Sequence, residues 1–195
     1  MIVYFCRFNP NEAHARSKAL PEVFRDRFQR IARSERAAQY VFSRLFYQNL
    51  CKHLKVIDPV SDFAQHAPHL PIRTNDGVYH TTLSHSGAFF ALALSRHPVS
   101  VDIEVMAPRD FVSLSELSGL MSEPNAQAFY QAWCRYESDI KLDEAFRVNP
   151  RYGFFERISR FEPYPVYLAA KYFTGEPVSV CEIADVEDDI ERWRV

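Results

Sequence analysis

A chain of 195 residues with 47% hydrophobic and 25% charged side chains is long enough to bury a real core, as one domain or two small lobes. Its formal net charge of −2 supplies no global field for nucleic acid or an anionic membrane, so any anion site has to be local. No window approaches about 18 apolar residues, which argues against a membrane span. The four scattered cysteines, Cys6, Cys51, Cys134 and Cys181, form no C-x-x-C pair and suit a reducing, cytoplasmic setting rather than a zinc ribbon or disulfide scaffold.

The opening run Met1-Ile2-Val3-Tyr4-Phe5-Cys6-Arg7 lacks a basic leader and reads as a first buried strand rather than a signal peptide. Residues 20–54 read as helical, with Phe24, Phe28 and Ile31, then Tyr40, Val41, Leu45 and Leu50 at helical spacings. Ser34 is a candidate cap for the second of these helices. Residues 56–76 carry Pro59, Pro68 and Pro71 among polar residues and read as an extended loop. Short apolar or β-branched runs from Val78 to Leu83, Ala88 to Leu94 and Val99 to Glu104 then read as strands. Helix signals return after Pro108, and Ser122 and Pro124 mark the start of the strongest helix, expected to run through Lys141. Three more strands are expected at Gly153 to Ile158, Val166 to Phe173 and Pro177 to Ile183. Strands and helices segregate into runs, which favours an α+β fold. A strand–helix–strand order occurs twice, permitting two similar halves, residues 1–100 and 101–195, with a site at their junction.

Asp102 and Glu104 are one residue apart on an expected strand, hence on one face, where two carboxylates repel unless a cation lies between them. Hard oxygen ligands in small number suit magnesium, whereas a solvated strand end is the ordinary alternative. Trp133, Glu137 and Lys141 recur every four residues on one helix face. That pattern is either a surface Glu–Lys pair beside a core tryptophan, or a third metal ligand or general base with a cation for phosphate oxygens. His85 stands between Ser84 and Ser86, just before Gly87, where it can contact a phosphate or simply be held by turn backbone. Residues 25–44 hold Arg25, Arg27, Arg30, Arg33, Arg36 and Arg44 with few acids between, a local basic stretch suited to a terminal phosphate or to a solvated helix face. The chain has no glycine-rich phosphate loop, H-E-x-x-H or G-x-S-x-G, and five glycines argue against a Rossmann or P-loop site.

Taken in order, Ser84-His85-Ser86, Asp102-Ile103-Glu104 and Trp133-Cys134-Arg135-Tyr136-Glu137-Ser138-Asp139-Ile140-Lys141 resemble the motif series of the 4′-phosphopantetheinyl transferase superfamily. The arginine-bearing stretch from Arg36 to Arg44, Pro71 before the first strand of the series, and Tyr167-Leu168-Ala169-Ala170 with Pro177-Val178 are similar to further family elements, so the resemblance spans roughly residues 33–183. It implies two similar α+β halves related by a pseudo-twofold, and magnesium-dependent transfer of the phosphopantetheine arm of coenzyme A to a serine of an apo acyl or peptidyl carrier protein. By matched position, Asp102, Glu104 and Glu137 would hold magnesium. Glu137 and Lys141 would act in catalysis, and Ser84, His85, Arg36, Arg44 and Lys141 would contact the coenzyme. The length fits family members that carry both halves in one monomeric chain. Ser100, Tyr136 and His69-Leu70 stand where the family usually has glycine, lysine and Gly-Lys. A non-catalytic binder of coenzyme A or carrier protein, another magnesium-dependent phosphate-ester enzyme and an adaptor domain are the alternatives.

Overall fold

A computed structural model describes residues 1–56, 71–119 and 125–183. Strand β1 (Ile2–Arg7) is followed by single helical turns over residues 10–19, then by helices α1 (Glu22–Gln29) and α2 (Ser34–His53). Strands β2 (Ile72–Thr74), β3 (Gly77–Ser86), β4 (Phe89–Ser95) and β5 (Ser100–Val105) come next. Helices α3 (Phe111–Ser118) and α4 (Ala126–Ile140) precede strands β6 (Tyr152–Ser159), β7 (Val166–Phe173) and β8 (Ser179–Ile183).

The strands form two sheets, one in the order β2-β3-β4-β1-β8 and one in the order β5-β7-β6. The mixed α+β class expected from the sequence is therefore observed. In both sheets a strand is followed by a helix and a hairpin whose second strand returns antiparallel to the first: β4 pairs with β1, and β7 with β5. Strand β8 comes from the second half of the chain but lies parallel to β1, so the two halves share the larger sheet.

Side-chain alternation stacks these elements in four layers. On β1 and β4, Tyr4, Cys6, Phe90, Leu92 and Leu94 pack against Val41, Leu45, Phe46 and Leu50 of α2. Their alternates Val3, Phe5, Phe89, Ala91 and Ala93 face the second sheet, where they meet Val101, Ile103, Val166, Leu168 and Ala170. The far face of that sheet, with Tyr167 and Ala169, is covered by Phe129, Tyr130 and Cys134 of α4. Every residue of β4 is buried, which is why its sequence is a continuous apolar run rather than an alternation.

Three local expectations change. Ser34 is the first helical residue of α2; Arg33 is the cap and no side chain caps the end. Within the segment read as a loop, residues 57–70 lie outside the described residues, but Ile72–Thr74 is a strand, turned into β3 through Asn75-Asp76-Gly77 with φ of 131° at the glycine. Ser122 and Pro124 also lie outside the described residues, and α4 is capped by Asn125, whose side chain accepts from the Ala128 amide at 2.8 Å. That helix ends at Ile140, which makes Lys141 its C-terminal cap.

Phe46 is fully buried, with ring centroids 5.4 Å from Tyr4 and 5.2 Å from Phe90. Phe46→Ala is expected to destabilise the protein by about 3–5 kcal/mol, the usual cost of emptying such a site, read from urea unfolding.

Candidate functional site

Strand β5 ends its sheet, with β7 on one side and no strand on the other among the described residues. Val101 and Ile103 point into the core between the sheets, so Asp102 and Glu104 take the opposite direction. Across the open edge lies β3, whose Ser84 and Ser86 match that spacing of two. Ser84 Oγ donates to Asp102 Oδ1 at 2.7 Å, and Ser86 Oγ donates to Glu104 Oε2 at 2.7 Å. Ser86 Oγ also accepts from the Val105 amide at 3.1 Å. The Ser-His-Ser and Asp-x-Glu elements are thus two facing rows joined rung to rung.

Helix α4 covers this seam and brings Trp133 and Glu137 on one face, with Lys141 just past its end. The Lys141 ammonium donates to Asp102 Oδ1 at 2.7 Å, to the Val101 carbonyl at 3.0 Å and to Ser84 Oγ at 3.3 Å. Arg109 approaches Glu104 at 3.9 Å from the loop after β5. The result is a cavity of about 320 Å³ lined by Leu83, Ser84, His85, Asp102, Glu104, Trp133, Glu137 and Lys141.

His85, on the other face of β3 from the two serines, also lines a second cavity of about 590 Å³. Arg27, Arg33, Arg36 and Arg44 line that cavity together with Tyr40, and among the described residues no acidic one does. The Arg44 guanidinium lies over the Tyr40 ring at 4.4 Å, with Arg27 5.6 Å from the same ring.

Burial raises the pKa of the Glu104 carboxyl, and the charge of Asp102 adds to it; Ser86, Arg109 and the Trp133 indole oppose the rise. Glu137 is likewise raised by burial and then by Asp102, against Lys141. His85 is exposed by area yet sits in a crowded floor where loss of hydration lowers its pKa. The charges of Arg44, Lys141 and Arg36 push the same way, against a hydrogen bond to its own backbone. Desolvation also pulls Arg44 down to about 10. Cys134 lies beneath Asp102, its thiol pushed far up by burial and then by that carboxylate, which makes it inert as a nucleophile.

All six residues expected at the centre, Ser84, His85, Asp102, Glu104, Glu137 and Lys141, therefore line one cavity, and Arg36 and Arg44 line its neighbour. The Ser84 hydroxyl is engaged within the chain, donating to Asp102 and accepting from Lys141. No group of three His, Cys, Asp or Glu side chains among the described residues is gathered at metal-holding range. Asp102 Oδ2 is nonetheless buried with no hydrogen-bond partner; the neighbouring thiol is a weak donor and reaches it with no bond of standard geometry. Two contributors were given no role by the sequence reading. Ser86 was signalled by its spacing from Ser84, which repeats that of the carboxylates. Arg109 carried no signal, being one exposed arginine in a loop. Of the basic stretch, Arg25 and Arg30 bond to the carbonyls of Lys18 and Asp26 and do not line the cavity.

No protein-family model and no curated protein matches the chain.

A carboxyl whose pKa rises on folding supports the fold only while protonated, and that support is lost as pH rises through the raised value. Glu104→Gln is therefore expected to raise Tm at pH 7.5 by about 2–4 °C, equivalent to about 1 kcal/mol at this length. The gain should shrink as pH falls toward the ordinary carboxylate range, where the natural side chain takes up its proton. Scanning calorimetry across pH checks both parts.

Proposed function

We propose that this protein transfers the 4′-phosphopantetheine arm of coenzyme A to a serine hydroxyl of an apo acyl or peptidyl carrier protein, releasing adenosine 3′,5′-bisphosphate. The observation that carries this reading is an acid cavity bearing Asp102, Glu104, Glu137 and Lys141 that meets, at His85, a cavity lined by four arginines. Coenzyme A has the matching charge pattern, with a 3′-phosphate at one end and a pyrophosphate further along. The repeated strand–helix–hairpin connectivity supports the further reading of two halves related by a pseudo-twofold, with the site at their junction.

On this reading Arg36 and Arg44, with His85, hold the 3′-phosphate through charge-assisted hydrogen bonds. Asp102, Glu104 and Glu137 form an all-oxygen set suited to magnesium, and the unpartnered Asp102 Oδ2 supports that fit. Magnesium, when bound, supplies charge neutralisation at the pyrophosphate. The carrier serine Oγ attacks the phosphorus bearing the pantetheine arm, and the bond from that phosphorus to the bridging oxygen breaks. Glu137 takes the serine proton, a role favoured by its raised pKa. Lys141 stabilises negative charge as it builds on the leaving oxygen and donates a proton there.

Intact-mass analysis of apo fatty-acid and peptide-synthesis carriers, incubated with this protein, coenzyme A and magnesium, is expected to show the gain of one phosphopantetheine arm, abolished by chelator. Asp102→Ala and Glu137→Gln should each eliminate the gain while the protein stays folded, and Lys141→Ala should slow it by about 10²-fold or more. Coenzyme binding without transfer to any carrier would make the protein a binder. Nucleotide release from coenzyme A with no carrier present would make it a phosphate-ester hydrolase.

A further inference from the structure

Two carboxylates of the acid cavity, Asp102 and Glu104, already have cations supplied by the chain itself. Asp102 is 4% exposed, and its Oδ1 takes donors from both Ser84 and Lys141. A buried carboxylate left uncompensated is costly, and Lys141 removes that cost. All three N–H bonds of the Lys141 ammonium have protein acceptors, Asp102 Oδ1, the Val101 carbonyl and Ser84 Oγ. This seat is a coordination shell of oxygens around a point charge. Beside it, Asp102 Oδ2 is buried and unpartnered, an acceptor the ammonium leaves unused.

We propose that Lys141 is a stand-in cation: its ammonium occupies Asp102 in the resting protein and exchanges with an incoming divalent cation, which frees Lys141 for phosphate oxygens. The inference rests on the metal reading of these carboxylates given above, and it adds the way the site is regulated. A divalent cation on Oδ2 and the ammonium on Oδ1 of one desolvated carboxylate repel each other, so metal arrival at Asp102 favours Lys141 departure. Departure has room. Lys141 follows the last residue of α4, and its flexible stem lines both the acid cavity and an adjoining one of about 350 Å³ walled by Thr81, Thr82, Leu142 and Phe146. Arg109 is a weaker stand-in on Glu104, at 3.9 Å and half-exposed.

The test is Mn²⁺ binding by calorimetry to the whole protein without coenzyme A. Lys141→Met is expected to bind Mn²⁺ about 10-fold more tightly than the natural protein, because the competing charge is gone. Lys141→Arg, which keeps a cation, should stay within about threefold. Arg135→Met removes a cation that pairs with Glu156 away from the cavity and measures the effect of net charge alone. In the natural protein, acetylation of Lys141 followed by mass spectrometry should rise several-fold when Mn²⁺ saturates the site, a readout that does not require the variants to fold.

Affinity in Lys141→Met no tighter than in Arg135→Met, or Lys141 acetylation indifferent to bound Mn²⁺, would overturn the exchange while leaving the metal site standing. Absence of Mn²⁺ binding in every protein, with and without coenzyme A, would overturn the metal reading itself.

Discussion

The outer edge of β5 is the constraint on which the site depends. An edge strand presents amide and carbonyl groups that need partners, and exposed edges invite pairing with other chains. Here the partners are side chains: Lys141 takes the Val101 carbonyl, and Ser86 takes the Val105 amide. Each of these groups also holds one of the strand's carboxylates, Lys141 on Asp102 and Ser86 on Glu104. In the resting protein, closing the edge and orienting the acids are therefore one operation. A shift of β3 or α4 that broke the first would break the second.

Side-chain size at the sheet interface makes that operation possible. Ala91 and Ala93 of β4 and Ala170 of β7 are fully buried between the two sheets, among larger neighbours such as Phe89 and Leu168. Small residues at those positions let the sheets approach closely enough for serine hydroxyls on β3 to reach carboxylates on β5 at 2.7 Å. On the other side, Ala169 makes space for Cys134 and Tyr130 of α4, which sets the distance from Glu137 to the strand. The acids are consequently half-buried or buried, and burial raises Glu104 and Glu137 above ordinary carboxylates. Local stability is given up for a charged cluster that water screens poorly, the usual relation between a polar site and the core that holds it.

Much of this was legible because it is periodic. Alternation put Asp102 with Glu104, helical spacing put Glu137 with Lys141, and the Ser-His-Ser element supplied Ser84 and His85, so six central residues could be named before their geometry was known. What periodicity leaves open is which rows face each other. The joining of Ser86 to Glu104 depends on two sheets meeting at one edge, a long-range fact with no local signature. Strand β2 was hidden by brevity and by proline-rich surroundings, since three residues are too few to show a period. The N-terminal cap of α2 failed for another reason: the chain enters through Arg33 in an extended conformation, so Ser34 is already helical and its hydroxyl is past the capping position. The sharing of β8 between halves is likewise a matter of partner choice, which a strand's own residues do not encode.

The two cavities divide charge between them, and His85 stands at the division. Four arginines facing one space repel one another, and the Tyr40 ring, 4.4 Å from Arg44 and 5.6 Å from Arg27, attracts both. Arg44 falls to about 10 and so remains charged at neutral pH. His85 does not have that margin. Desolvation and the surrounding cations pull an already modest pKa downward, which leaves the imidazole neutral while the basic cavity holds only its own cations. An anion entering that cavity offsets part of the arginine charge, which favours the imidazolium. His85 lines both cavities, so its charge bears on the carboxylates as well as on the arginines.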